Sequence, residues 1–584
     1  MRTERQFILK RKNVDLTYEN ILYDAELNIL RWYRFSENAV VLAIGWNNQL
    51  VRRFCEERGY IFEEATPSDL LESDYSDKHK GTADYAILME TIEVTVKPAV
   101  LLRKAYDCLK EAGRLLVIAN NKYAIKHFCG EKTPYEERLF DELEGKWAAD
   151  GSHSFGIGEL EQLFRDADIK NVKKYAVYPQ LYNAKKIYSF EYEIRDKADV
   201  QFQPWYKDNS LIFADEGKMY AGLAASGLLY ALANGFIFDA GRKEEQSGAL
   251  FVTISSGREA ERQFITVVNA SGIVEKRPIY ENGMGGIRML EKNHKYLCDR
   301  GLHMVPGKMT ADSYQMNYVK SPSLLEQMEK AFYRGNGEVI TLFDQYVEEL
   351  RKSSMITETN ELGDILQYGF IDLVPINCFY DNGQFLFFDQ EYVLPNLPLK
   401  VIIYRSLVIM YDAYPEFAWQ IPISFFFDRY YISECIDEIR KVESEFLLEL
   451  NVENLMVLHK DYHAPFIASI EANREAVNEA SLKNLLKENG SQNEEGKKII
   501  LLGANDKARQ FLNAYRANCE IAMIIDENPA KQGMDFEGYI VSTMEQLAGL
   551  DQQEYKVIIL EGDVLPAYQR LRRWGIECIG WYEG

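Results

Sequence analysis

At 584 residues, with 47% hydrophobic and 13% aromatic side chains, the chain is too long for one hydrophobic core and carries apolar material for roughly three or four domains. Its 67 Lys and Arg against 90 Asp and Glu leave a formal net charge of -23, so a duplex nucleic acid is repelled by the average surface and no nucleic-acid partner is expected. Eight cysteines without a CxxC pair argue against a disulfide framework or a zinc ribbon and fit a reducing cytosol.

The first residues, MRTERQFILKRKNVDL, are basic but lack an apolar segment ending at a small-residue cleavage site, so no secretory signal is expected. From about residue 38 to 195, the β-like runs AVVLAIG, DYAILME and GRLLVIANN alternate with helical segments such as LLRKAYDCLKEAG. Alternation of this kind predicts a parallel sheet covered by helices. AVVLAIGWNNQLVRRF has the strand, glycine turn and helix start that bring backbone close to a cofactor. With DYAILME, GRLLVIA and the closing SFGIGELEQLFRDADIKNVKKYAVYP, it resembles the class I S-adenosylmethionine-dependent methyltransferases over most of residues 30–195. The resemblance implies a Rossmann-like fold and S-adenosylmethionine as cofactor. Gly45, Glu63 (or Glu64) ending GYIFEE, and Asp84 heading DYAILME are the cofactor-binding candidates. The glycine motif departs from the family: Ala43 stands where an acidic residue is usual, and Trp46, Asn47 and Asn48 follow Gly45 without a second glycine.

The longest apolar run, AGLAASGLLYALANGFIF at 221–238, carries small and polar residues at helical spacing; it predicts an amphipathic helix entering a strand, not a membrane span. Strand-like ALFVTI, QFITVV and IVEKRPIY follow, then a long helical stretch and FIDLVPINCFYDNGQFLFFDQEY, in the order of a two-lobed α+β domain. Phosphoryl transfer needs a group that positions a hydroxyl nucleophile and oxygen ligands for magnesium on the nucleotide. Asp372-LVPI-Asn377 has the D-x-x-x-x-N spacing of a kinase catalytic loop, and a hairpin turning at Asp381-Asn382-Gly383 returns the chain to Asp389. Upstream, Lys276 sits late in a β-like run, Glu291 follows in GIRMLEKNHKYL, and SYQMNYVKSPSLLEQ is shaped like the strand and hinge that receive adenine. The block resembles the aminoglycoside-phosphotransferase and protein-kinase-like superfamily. By that resemblance Asp372 is the catalytic base, Asn377 and Asp389 are magnesium ligands, Lys276 is the phosphate clamp, and Glu291 is its ion-pair partner; ATP and Mg2+ are implied. Phe370 stands where kinases usually have His, and SSGREAER replaces a glycine-rich loop with a single glycine.

NEASLKNLLKENGSQNEEGKK, about 476–497, is polar and charged, without apolar periodicity after Leu486, and reads as a linker. His459 and His463 in HKDYH share a helical spacing but show no third metal ligand, and PISFFFDRYY is expected to be core packing. The last 87 residues restart with KIILLGAND, then IAMIID and YKVIIL, predicting a small doubly wound domain. This block resembles the small nucleotide-binding domain at the front of sugar O-acyltransferases. Gly503 gives the tight turn, and by that resemblance Asp526 stands where the ribose-binding acid of a nucleotide or nucleotide-sugar site is expected, while Asn505 and Ala508 replace the later glycines of G-x-G-x-x-G.

The expected organisation is a methyltransferase-like domain (1–200), a kinase-like domain (205–475), a linker (476–497) and a small Rossmann-like domain (498–584). This order resembles the bifunctional kinase-methyltransferases that cap bacterial O-antigen polysaccharides. It implies a cytoplasmic transferase of surface-polysaccharide synthesis that phosphorylates a sugar or glycan hydroxyl, with S-adenosylmethionine-dependent methylation as a further activity. Glycan-assembly enzymes are the implied protein partners, the inner membrane face is a site of recruitment, and homo-oligomerisation stays open. Two alternatives remain: a scaffold in a glycan-assembly complex whose sites have decayed, and a methyltransferase with an inert kinase-like domain.

Overall fold

VVLAI forms strand β1 (Val40–Ile44), four of its five residues buried, as a strand covered on both faces must be. Parallel neighbours need crossover helices. Helix α1 (Gln49–Arg58) leads to β2 (Ile61–Ala65), and α2 (Pro98–Asp107) joins β3 (Ala83–Met89) to β4 (Leu109–Asn120). In α2, Pro98 occupies the first turn, where its missing N–H costs nothing, and Leu101, Leu102, Ala105 and Tyr106 make the buried stripe. The expected helix LLRKAYDCLKEAG loses its last turn to β4. That strand pairs Leu109 with Ala83, slips, and resumes at Arg114 opposite Tyr85. Gly113 sits at the slip, where a Cβ would lie 3.0 Å from the Ala83 carbonyl.

The structure is a computed structural model that describes the chain except residues 1–8, 12–13, 17–22, 136–137, 195–196, 207–210, 244–247, 257, 451–467, 483–485, 487–495, 548–549, 552–553, 561–563 and 583–584. His459 and His463 therefore lie outside the described residues. The described residues fall into two units, one of 1–209 with 214–465 and one of 210–213 with 466–584.

In the first unit, β2, β1, β3 and β4 run parallel, giving the Rossmann-like start that the sequence predicts. Beyond β4 the sheet continues antiparallel through β7 (Gly235–Gly241), β5 (Val172–Tyr178) and β6 (Lys186–Ser189). It then continues through β8 (Ala249–Ser255), β9 (Phe264–Asn269), β10 (Ile273–Pro278), β12 (Tyr314–Asn317) and β11 (Gly307–Met309). The result is one twelve-stranded sheet ordered β11-β12-β10-β9-β8-β6-β5-β7-β4-β3-β1-β2. Two features differ from the expected division near residue 200. All seven residues of β7 are buried inside the first half of the sheet, and β8 closes the edge of β6 by pairing Phe251 with Tyr188. The helix expected at 221–238 is only Tyr220–Ala225.

Helix α3 (Met284–Asp299) follows β10; α4 (Leu324–Arg334), α5 (Asn336–Lys352) and α6 (Leu399–Ala413) build a second core around Phe343, Tyr346, Phe370, Phe387 and Leu407. Phe426 and Phe427 of PISFFFDRYY join that core, while Phe425 stays 39% exposed. Among the described residues no helix is long and apolar enough to cross a membrane.

The second unit has β16 (Lys498–Leu502) between β17 (Ile521–Ile525) and β19 (Tyr555–Ile559), with β18 (Tyr539–Ser542) and β20 (Ile579–Trp581) outside them, all parallel. Residues 468–482 are helical, and Leu482 and Leu486 pack in this unit's core, so part of the expected linker is folded.

Two buried carboxyls make stability depend on pH. Glu93 accepts the Asn120 N–H (3.0 Å), and Glu216 accepts from Tyr220 (2.7 Å) and Asn234 (3.1 Å). Each leaves Oε2 without a hydrogen bond, and burial above all pushes both up to about 8. The folded state thus holds protons that the unfolded state has released above the ordinary Glu range, so stability is full below about pH 4.3 and lost as pH rises toward 8. The melting temperature should fall steadily between pH 5 and 8.5, and Glu93→Gln should flatten that slope by on the order of 3 kcal/mol across the range. A wild-type melting temperature that does not change over this range would contradict neutral burial.

Candidate functional site

The hairpin after Asn377 is built by its turn. Asn382 (φ +48°) and Gly383 (φ +80°) supply the two left-handed residues a two-residue turn needs between β14 (Cys378–Asp381) and β15 (Gln384–Phe387), which pair from Cys378–Phe387 to Asp381–Gln384. Its closure sets the Phe388 N–H on the Asn377 carbonyl (3.0 Å), so Asn377 and Asp389 come side by side. Asp389 is itself left-handed (φ +58°), which costs a non-glycine residue roughly 1–2 kcal/mol and is tolerated where surrounding contacts hold it. Those contacts come from 113 residues earlier in the chain: Lys276 Nζ on β10 donates to both Asp389 oxygens, at 2.7 and 2.9 Å.

Asp372 lies on the loop before the hairpin with its carboxylate 15% exposed, 3.5 Å from Arg405 of α6. Its carbonyl accepts the amides of Asn377 (3.1 Å) and Gln390 (2.9 Å), so the loop is tied at both ends of the hairpin. Burial pushes the Asp372 carboxyl above the ordinary range; Arg405 opposes that shift and Asp389 adds to it. Burial likewise pulls Lys276 below the ordinary lysine range, outweighing the attraction of Asp389. Asp372, Asn377, Asp389 and Lys276, all expected from the sequence, are therefore one constellation.

Glu291 is not part of it. It stands exposed on α3, and the second carboxylate on Lys276 is Glu391, whose side chain is only 7% exposed. Glu391 also faces Arg258 (3.6 Å), from the SSGREAER turn between β8 and β9, and Arg258 reaches the Tyr392 hydroxyl (3.3 Å). Sequence reasoning missed Glu391, Arg258 and Arg405. The signal for the first was the second acid of Asp389-Gln390-Glu391, where the kinase pattern has glycine.

A cavity of 560 Å³ opens beside Asp389, within the size range of small-molecule sites. Val268, Val274 and Phe251 line it from the sheet, and Ile376, Phe379 and Phe388 from the hairpin. Asn317 and Tyr318, in the expected hinge, complete one side. No group of three or more His, Cys, Asp or Glu able to hold a metal alone is present among the described residues. Magnesium needs only one or two protein oxygens when nucleotide phosphates supply the rest, and the Asp389 carboxylate on the cavity wall is an oxygen ligand of that kind.

On the first sheet, Gly45 ends β1 at the carboxyl rim, but its close approach is filled by the chain itself: a Cβ there would lie 3.0 Å from both Asn48 Oδ1 and Thr91 Oγ1. Glu63 lies two residues short of the end of β2, while Glu64 pairs with Arg52 (2.8 Å). Asp84 is at the opposite, amino end of β3, holding the Val40 N–H (2.9 Å) and Lys110 (2.8 Å); this corrects its assignment to the cofactor. The rim instead carries Glu90, left-handed at φ +50°, joined to Asn120 (2.6 Å) and to the Tyr182 hydroxyl, with Glu93 behind it. A strained acidic residue closing the β3 strand was the overlooked signal.

In the second unit Gly503 is left-handed (φ +115°), as the expected turn requires. Asp526, however, is filled by the chain: it accepts the Ala504 N–H (2.8 Å), the Asn528 N–H (2.9 Å) and Lys531 Nζ (2.9 Å). Those partners hold its carboxyl below the ordinary range against the effect of burial. Asn505 caps the next helix through Ala508 N–H (3.1 Å).

No protein-family model and no curated protein matches this chain. Among solved structures it is similar to a Thermotoga maritima S-adenosylmethionine-dependent methyltransferase, described as a possible histamine N-methyltransferase, at 13% identity over 39% of this chain and 93% of that one (TM-score 0.24). It is also similar to an Archaeoglobus fulgidus S-adenosylmethionine-dependent methyltransferase (11%, 38% and 93%, TM-score 0.24) and to Haemonchus contortus phosphoethanolamine N-methyltransferase 2 (15%, 39% and 56%, TM-score 0.23). At these scores the Rossmann-like assignment of the first region rests on its own strand order.

Proposed function

We propose that the chain is an ATP-dependent phosphotransferase acting on a hydroxyl of a sugar or glycan. One observation carries this reading: Lys276, from 113 residues earlier in the chain, grips Asp389 where Asp389 lines a cavity of 560 Å³, at the end of a hairpin whose preceding loop holds Asp372 and Asn377. The acceptor hydroxyl attacks the terminal phosphorus, the bond to the bridging oxygen breaks, and Asp372 takes the hydroxyl proton. Its raised affinity for protons suits that task, and Asn377 and Gln390 hold its backbone still. Lys276 meets the phosphates by exchanging one of its two carboxylate partners for a phosphate oxygen. Magnesium on Asp389 and Asn377 would neutralise phosphate charge.

The sugar acceptor, the bacterial surface-polysaccharide setting, the cytoplasmic location and glycan-assembly partners are supported by the order of the blocks. Methyl transfer from S-adenosylmethionine is a second reading, supported by the parallel β2-β1-β3-β4 order and by the polar rim of Glu90, Asn120 and Tyr182. Ligand binding to the native state raises its melting temperature by mass action. ATP with magnesium should therefore stabilise the wild type by several degrees and leave Asp389→Ala unmoved. Wild type indifferent to ATP would end the phosphotransferase reading, and a shift with S-adenosylmethionine alone would favour the second.

A further inference from the structure

The nucleotide cavity has a wall that the kinase-like block does not supply. Tyr192, Glu193, Ile194 and Asp199, which follow β6 of the first sheet, line it beside the hinge residues Asn317 and Tyr318. Tyr192 stacks on Phe251 at 5.0 Å and 13°, and Phe251 stacks in turn on Tyr188 at 5.0 Å and 20°. The Tyr192 hydroxyl donates to Asp199 (3.1 Å), and the Tyr230 hydroxyl donates to the Tyr192 carbonyl. Two residues before Asp199, Lys197 pairs with Glu329 of α4 (2.9 Å) and lies over the Tyr414 ring at 4.2 Å. The wall is thus held on strand β8 through Phe251 and on helix α4 through Glu329. It brings an aromatic ring and two carboxylates to a cavity that apolar residues such as Val274, Phe379 and Phe388 also line.

We propose that Tyr192, Glu193, Ile194 and Asp199 are the specificity wall for the nucleoside part of the substrate, resting on the phosphotransferase reading of this cavity. A planar base fits between the apolar faces, and Glu193 and Asp199 are the acceptors at hand for ribose hydroxyls, so a ribonucleotide is selected over its deoxy counterpart. Lys197 is a positioning residue: it touches no ligand and holds the wall between the lobes. This makes the first sheet and the phosphotransfer site one working unit.

The test is titration calorimetry of the full chain with ATP and magnesium, and with 2′-deoxy-ATP and 3′-deoxy-ATP. Wild type should prefer ATP over at least one deoxy analogue. Tyr192→Ala should weaken ATP roughly tenfold, the size of one lost aromatic contact, and Tyr192→Phe should keep the stacking part. Lys197→Ala should weaken ATP with an unchanged thermal unfolding profile, an effect that a surface ion pair without a positioning role would not produce. Equal ATP affinity in wild type, Tyr192→Ala and Lys197→Ala, or no preference between ribo- and deoxynucleotide, would overturn the wall. Should Tyr192→Ala unfold, Lys197→Ala and the analogue series still decide. Absence of any nucleotide binding by wild type would instead remove the phosphotransferase reading itself.

Discussion

Asp372→Asn should lower ADP release about a thousandfold while leaving the stabilisation by ATP and magnesium intact. The side chains have the same shape, and the backbone carbonyl that Asn377 and Gln390 hold is untouched. The capacity to take the acceptor proton is lost, together with the charge that faces Arg405 at 3.5 Å, and general-base contributions run to roughly 10²–10⁴-fold. Because burial raises the Asp372 carboxyl above the ordinary range, wild-type activity should climb with pH through that raised value as the base ionises. The variant should show no such limb. Turnover equal to wild type would remove Asp372 from the mechanism and leave it as a loop residue paired with Arg405.

What the sequence made legible follows from which physical signals are local. The Asp381-Asn382-Gly383 turn dictated a hairpin, and hairpin length fixed the distance from Asn377 to Asp389 without knowledge of the rest of the fold. Lys276 was placed by strand order alone. Glu291 failed for a reason of helical phase. The buried stripe of α3 is Ile287, Leu290, Asn293 and Leu297, and Glu291 stands one position off it, so it turns to solvent. Asp84 failed for a reason of strand polarity, since ligands in such sheets meet the carboxyl ends and Asp84 begins its strand. Glu63 stops two residues short of the end of its strand, paired with Leu42 of β1, and so falls short of the carboxyl rim. The strand Gly235–Gly241 was legible as a strand and not as a neighbour of β4, because an apolar run carries no record of its partner. That gap is what made residues 1–200 and 205–475 read as separate bodies when one sheet runs through both.

Lys276→Met should destabilise the first unit by about 3–5 kcal/mol, the range seen when one partner of a buried ion pair is removed. Lys276 and Glu391 are 5% and 7% exposed, so little solvent is available to take over when the ammonium is gone. Glu391 would then keep only Arg258, at 3.6 Å, and Asp389 would lose both of its short bonds while held in a left-handed backbone. Burial already pulls Lys276 below its ordinary range, so the pair is closely balanced and the loss comes from stranded carboxylates more than from a strong attraction. It follows that Lys276→Met with Glu391→Leu should recover much of the stability, since the apolar pair strands one carboxylate fewer and Asp389, at 29% exposed, can turn to water. Urea midpoints of the two variants measure this, with the slope checked for constancy. A single variant as stable as wild type would mean that Lys276 is not paired in solution, and a double variant less stable than the single would mean that Glu391 is held by Arg258 and not by Lys276. Under the pairing seen here, Lys276 is held between Asp389 and Glu391, while Glu291 stands exposed on α3.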